Sequence, residues 1–318
     1  MSAQSVLGVV LLNLGAPQSR EDVPGYIRRL LSDADVMPLP WPVRGLVAGM
    51  IARRRSEAVA EHYRAIGGRS PLHAQTLGQA QALGAALGPG YAVRFAMRHS
   101  APGALEALSR LASAGASRVV ALPAYPQWTR STSGSALRDL DRAGRRTGVC
   151  VRHAPSFPDA PGYIDALAAS VLPLLSPGSH LLVTAHGLPL RAVEGDDPYL
   201  EEVARTVAAL RGRLPPGTPC SLAFQSRVGS MPWTGPSLEE EVQRLAGDGA
   251  RSLVVLPISF VSENLETLYE LDIELAAHAQ TCGITQFARV STPGCQPAFI
   301  AELARIVRRT AQSAGWED

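Results

Sequence analysis

Apolar residues are grouped along this chain in two ways. Four short segments, 8–14, 117–122, 180–184 and 252–256, are apolar almost without a break, and each runs at once into a polar or glycine-containing loop. Such continuous runs of leucine and β-branched residues belong to parallel strands covered on both faces. Elsewhere the apolar positions recur at helical spacing, over 57–66, 72–87, 103–114, 161–175, 199–214 and 238–246. The alternation predicts an α/β chain with parallel sheets flanked by helices.

An internal echo refines this. Residues 115–123 (Gly-Ala-Ser-Arg-Val-Val-Ala-Leu-Pro) resemble 249–257 (Gly-Ala-Arg-Ser-Leu-Val-Val-Leu-Pro), and 11–17 loosely match 183–189. Two Rossmann-like domains follow, 1–155 and 156–318, with a final helix over 298–311 expected to return to the first. In open parallel sheets ligands bind beyond the carboxyl ends of the strands. The loops 13–18, 125–135, 186–189 and 260–274 are therefore expected to meet at an active cleft between the two domains.

Composition narrows the function classes. The 318 residues are 46% hydrophobic and 18% charged, with a formal charge of +2, and the arginines are dispersed, so nucleic acid is not an expected partner. The apolar run at 6–14 is strand-length and follows no basic segment, and no run reaches the roughly 18 residues of a membrane span. A cytoplasmic protein is expected. Cys150, Cys220, Cys282 and Cys295 are widely spaced, which argues against a zinc site and for reduced thiols. All 30 basic residues are arginine, so lysine Schiff-base and Walker-type phosphate chemistry are excluded.

The most unusual local pattern lies at 262–274, where Glu263, Glu266, Glu270 and Glu274 follow at spacings of three, four and four. On a helix they form one acidic stripe, with Leu265, Leu268 and Leu275 expected on the packing side. No arginine occurs between Arg251 and Arg289, and an unanswered Glu/Glu pair four apart costs roughly 0.2–0.5 kcal/mol. The stripe is thus expected to serve protons or a cation rather than stability. His186 follows its strand directly, before Gly187, which allows a sharp turn at the cleft edge. Its imidazole has the chemistry to take a proton from a weakly acidic N–H or to hold a borderline cation. The hydroxyl-rich loop at 125–135 is open to two readings, helix capping by Ser131 or Thr132 and ligand contact. Residues 26–55 interleave apolar side chains, among them Met37 and Trp41, with Arg28, Arg29, Arg44, Arg53, Arg54 and Arg55, and prolines at 38, 40 and 42 prevent one long helix. The segment reads either as a core hairpin or as a lip over a large apolar ligand that also rests on a membrane surface.

Several motifs in order resemble one family. They are Leu12-Asn13-Leu14-Gly15-Ala16-Pro17, Tyr63-Arg64-Ala65-Ile66-Gly67-Gly68-Arg69-Ser70-Pro71-Leu72, Tyr125-Pro126-Gln127 with Ser131-Thr132-Ser133-Gly134-Ser135, His186-Gly187-Leu188-Pro189 with Gly195-Asp196-Asp197-Pro198-Tyr199, Phe224-Gln225-Ser226-Arg227-Val228-Gly229, and 266–274. Together they cover nearly the whole chain and look like the signatures of the ferrochelatases. The resemblance implies a lyase that inserts ferrous iron into a porphyrin to form haem. It implies His186 and Glu266 as the catalytic pair, Glu270 and Glu274 as an acidic path that, with them, contacts metal, and Arg98 as a porphyrin contact. Asn13, Met37, Tyr125, Ser131 and Thr132 are the further substrate-binding candidates. Animal members that carry an iron–sulfur cluster have a cysteine where Arg130 stands here and three more in a C-terminal extension, so no cofactor beyond the ferrous substrate is expected. Gln18 stands where coproporphyrin-using members have a tyrosine, and the lip is apolar, so protoporphyrin IX is the expected substrate. The alternatives are a coproporphyrin III or other tetrapyrrole chelatase, and a non-enzymatic tetrapyrrole or metal carrier. A monomer or homodimer with peripheral contact at the inner membrane face is the expected state.

Overall fold

The computed structural model describes residues 6–229 and 231–317. The chain divides into two compact units. The first comprises residues up to 125, 129–156 and 300 onward; the second comprises 126–128 and 157–299. The division departs from a single cut at 155, because three residues of the 125–135 loop join the second unit and the final residues join the first.

In the first unit β1 (Leu7–Asn13), α1 (Val23–Leu31), α2 (Val43–Ala65), α3 (Leu72–Leu87), β2 (Tyr91–Met97), α4 (Ala104–Ser113), β3 (Arg118–Pro123), α5 (Ser135–Thr147) and β4 (Cys150–His153) follow in order. The four strands form one parallel sheet in the order β2-β1-β3-β4. β1 is central and every residue of it is buried, which is what its unbroken apolar run requires. Leu108 and Leu111 of α4 and Leu140 of α5 are fully buried in one cluster with Val10 and Val119 of the sheet.

The second unit repeats the plan. It contains α6 (Pro161–Val171), β5 (Ser179–His186), α7 (Leu190–Val193), α8 (Tyr199–Arg211), β6 (Cys220–Gln225), α9 (Leu238–Gly247), β7 (Ser252–Pro257), α10 (Ala276–Thr281) and β8 (Gln286–Arg289), and it is followed by α11 (Pro297–Ser313). The sheet order is β6-β5-β7-β8, parallel throughout, so the strand permutation is the same in both units. The echo of 115–123 in 249–257 corresponds to β3 and β7, which hold equivalent places. α9 opens with a reciprocal cap: the Glu240 amide donates to Ser237 Oγ at 3.3 Å and the Ser237 amide donates to Glu240 Oε2 at 2.8 Å.

Two details depart from the sequence pattern. The 26–55 segment is neither a hairpin nor a set of short helices only: after the proline-rich loop a single 23-residue helix, α2, begins at Val43, well before the expected start at 57. Residues 266–275 are wound as a π-helix rather than an α-helix. Within it Thr267, Leu271 and Leu275 are buried, so Leu271 takes the packing role expected of Leu268, which is only partly covered.

Candidate active site

His186 is the last residue of β5, at the carboxyl end of a central strand. Its backbone is fixed on both sides. The His186 amide donates to Ser259 Oγ at 3.1 Å, the Tyr199 hydroxyl donates to the His186 carbonyl at 2.7 Å, and the two hydroxyls lie 3.0 Å apart. Tyr199 is 2% exposed, so this bond cannot be exchanged for water without opening the core. Gly187 is required here for space rather than for an unusual backbone angle: a Cβ would stand 2.5 Å from the Gln225 carbonyl oxygen. The close approach lets the Gly187 amide donate to that carbonyl at 2.8 Å, extending the strand pairing past the histidine.

The imidazole stands edge-on to Phe260, with ring centroids 5.9 Å apart. Its Nδ1 is buried without a hydrogen-bond partner. Burial disfavours the imidazolium and pushes the His186 pKa down to about 4, so the ring is neutral at pH 7. A buried polar nitrogen left without a partner is costly in a folded protein, which makes the ring a candidate for chemistry rather than a contributor to stability.

The acidic residues divide. Glu263 lies before the π-helix, and it is not unanswered: Arg289 Nη1 meets its carboxylate oxygens at 2.7 and 2.8 Å, and the Thr292 amide and hydroxyl donate to it at 2.9 and 3.1 Å. The sequence placed Glu263 on the functional stripe because Arg289 is distant in the chain; β8 brings the arginine back.

Glu266, Glu270 and Glu274 do share the π-helix, each one residue before a buried packing position. Burial raises the Glu266 pKa. For Glu270 burial is the largest influence and the neighbouring Glu266 charge adds to it; hydrogen bonds from Ser226 and Gln225 oppose them, and the balance is a pKa pushed up to about 7. Glu274 at the outer end is exposed. Among the described residues no three or more His, Cys, Asp or Glu side chains close into a ready-made ion site. The carboxylates form a line instead.

Two residues of the 224–229 motif, to which the sequence assigned no role, hold this line. Ser226 Oγ donates to Glu270 Oε2 at 2.5 Å, and Gln225 Nε2 donates to the same oxygen at 3.1 Å and to the Glu266 carbonyl at 3.0 Å. Ser226 has φ +67°, a left-handed conformation that a residue with a Cβ adopts at a cost of order 1–3 kcal/mol. Among the described residues it is the one non-glycine so strained. The available signal was its place in the motif at 224–229; its position directly after β6 was not readable, since that strand is short and has no long apolar run.

The remaining candidates lie in the first unit. Asn13 is occupied structurally: its amide donates to Thr76 Oγ1 at 3.1 Å and its Oδ1 accepts the Leu14 amide at 2.8 Å. Arg98 pairs with Asp33 at 2.8 Å and donates to Ser135 Oγ at 2.6 Å. Burial, reinforced by the Arg98 charge and opposed by Asp33, pushes the adjacent His99 down to about 4. Met37 is half-buried in the loop between α1 and α2. The Tyr125 hydroxyl and Thr132 Oγ1 are buried without hydrogen-bond partners, and burial raises the Tyr125 pKa well above its ordinary value. Thr129, rather than Ser131 or Thr132, caps the following turn, accepting the Ser131 amide at 3.1 Å.

Comparison with known proteins gives the chain a family and a fold. Residues 6–311 match the family model described as Ferrochelatase. The chain is 39% identical over 308 residues to the ferrochelatase of Geotalea daltonii, covering 94% of this chain and 96% of that one. It is 38% identical over 306 residues to that of Aquifex aeolicus, covering 95% and 98%. Among solved structures it is similar in fold to SirB from Bacillus subtilis with Fe3+, with a TM-score of 0.57 at 12% identity over 98% of this chain and 99% of that one.

Proposed function

This chain belongs to the ferrochelatase family, lyases that place ferrous iron in a porphyrin, and we propose that it acts on protoporphyrin IX through His186 and Glu266, with Glu270 and Glu274 as the route behind them. The reading is supported by a neutral buried imidazole whose strand partner, Gln225, donates to the segment bearing Glu266 and Glu270, carboxyls whose proton affinity burial has raised. Metal insertion exchanges one dication for two pyrrole protons, so the site must accept protons at the moment iron arrives. His186, uncharged at pH 7, offers a lone pair, yet with a pKa near 4 it holds a proton weakly and must pass it on. Glu270, near 7, holds a proton more firmly and also releases it at neutral pH. Glu270 thus has the higher proton affinity of the two, which favours transfer from the imidazole toward it. When ionised, the same carboxylates favour approach of the ferrous ion, and no lysine anywhere in the chain competes for them.

Arg98, Tyr125, Ser131, Thr132 and Met37 are proposed as porphyrin contacts; the partnerless hydroxyls of Tyr125 and Thr132 support this for those two. Asn13 is proposed only as a brace for the first loop. No resident cofactor is proposed, since Cys150, Cys220, Cys282 and Cys295 are widely spaced along the chain. A peripheral membrane contact is proposed at the lip, where Trp41, Leu46 and Met50 are 79%, 74% and 57% exposed and Arg53, Arg54 and Arg55 stand on the same helix as the last two. Among the described residues no helix is long and apolar enough to cross a membrane. The proposed setting is cytoplasmic, at the inner membrane face.

Anaerobic turnover of ferrous iron with protoporphyrin IX, followed by absorbance, tests the reading. The wild type is expected to turn over many times, and His186→Ala and Glu266→Gln to lose about 10²-fold or more. Binding of one equivalent of porphyrin without turnover would mark a carrier, and faster turnover of coproporphyrin III would move the substrate assignment.

A further inference from the structure

The π-helix at Glu266–Leu275 presents Glu266 and Glu270, and a ten-residue π segment is a poor competitor against α winding unless something holds it. Arg289, the last residue of β8, is placed to do so. Its Nη1 grips Glu263, which precedes the segment, and its Nε and Nη2 donate to Asp272 Oδ1 and Oδ2, within the segment, at 2.8 and 2.7 Å. One guanidinium therefore spans from before Glu266 to beyond Glu270. Its side chain is 10% exposed. Burial works against its charge, but the hydrogen bonds and charges of Asp272 and Glu263 prevail and raise its pKa. A rewound segment would rotate Asp272 relative to Glu263, and the fixed fork of Arg289 could not keep both.

We propose that Arg289 is a positioning residue that locks the π winding by clamping Glu263 to Asp272, and so aims Glu266 and Glu270 into the site. It acts through the two carboxylates it holds, Glu263 and Asp272. The Asn264–Thr267 pair assists at the start, where the Thr267 amide donates to Asn264 Oδ1 at 2.9 Å and the Asn264 amide donates to Thr267 Oγ1 at 3.0 Å. The inference rests on the functional reading above for its consequence, and on geometry alone for the clamp.

The experiment compares Arg289→Lys, Glu263→Gln and Asp272→Asn with the wild type in the full chain. Lysine keeps the charge but lacks the fork, and each carboxyl variant leaves Arg289 one partner, so a folded clamp-deficient protein is available even if one variant fails. Amide hydrogen exchange across 266–275 and steady-state turnover are read together. The clamp predicts faster exchange confined to this segment, kcat lower by about ten- to a hundredfold, and an unchanged KM for porphyrin. Unchanged exchange across 266–275 overturns the clamp. Faster exchange with unchanged kcat overturns its role in aiming the carboxylates. If the wild type shows no iron insertion at all, the exchange result still decides the clamp while the functional reading falls.

Discussion

Glu270 is held where its charge is disfavoured, and stability must reflect that. Its carboxyl keeps a proton up to about pH 7 when folded, against an ordinary value of 4.5. Between those values the folded chain binds more protons than the unfolded one, so stability falls as pH rises from 4.5, and the whole penalty is present above about 7. Glu270→Gln should remove it. The variant is expected to gain about 1–3 kcal/mol at pH 8 and nothing at pH 4.5, while losing activity. Thermal unfolding at the two pH values checks this, and an equal gain at both would refute the assignment. Histidine works the other way: His186 and His99, pushed down to about 4, stabilise the neutral state above pH 6.5 and withdraw that support as pH falls toward 4. Ser226 belongs to the same scale, since its strained backbone is tolerated where its hydroxyl meets Glu270.

Single elements show where stability can be probed apart from function. The reciprocal cap of α9 is remote from His186 in sequence and satisfies two amides at the helix start. Ser237→Ala should cost about 1 kcal/mol, read as a lower urea midpoint, with kcat unchanged. The elements also show what sequence can carry. The four strands legible as apolar runs, β1, β3, β5 and β7, are the two central strands of each sheet; the four that escaped, β2, β4, β6 and β8, are the edges. Edge strands are covered less, so residues such as Arg94 and Arg152 interrupt them and no continuous run survives. The same reason divides the site. His186 and Glu266 could be put forward from sequence because a strand end and a repeated spacing are local, and the family motifs include them. Ser259 and Arg289 suggested no role, and Tyr199 and Ser226 stood in motifs without one, because each matters through a partner brought near only by folding. The π winding was hidden as well, since a spacing of four is read as an α-helix unless the buried positions are known.

At the scale of the whole molecule, the exposed apolar crest of the first unit is the feature most open to test. Trp41, Leu46 and Met50 together remain in water at a cost that a lipid surface would remove, and burying one large side chain is worth roughly 1.5–3 kcal/mol. Changing all three to serine should lower partition onto anionic lipid vesicles by about tenfold or more, measured by flotation, with the fold intact by circular dichroism. Undiminished flotation would exclude the crest as the contact. The two units repeat one strand order, yet they are not equivalent in the way the chain supplies them. Residues 300–317 belong to the first unit: Leu303 and Val307 of α11 are buried, Arg308 donates to the Ala86 carbonyl at 2.8 Å, and Glu317 accepts from Tyr91. During synthesis, then, the unit that emerges first from the ribosome is the one that finishes last. The surface reserved for α11 stays uncovered until everything in the second unit has been translated. Vectorial folding begins here with a domain that lacks its last helix, so the growing chain exposes a surface that the finished protein buries.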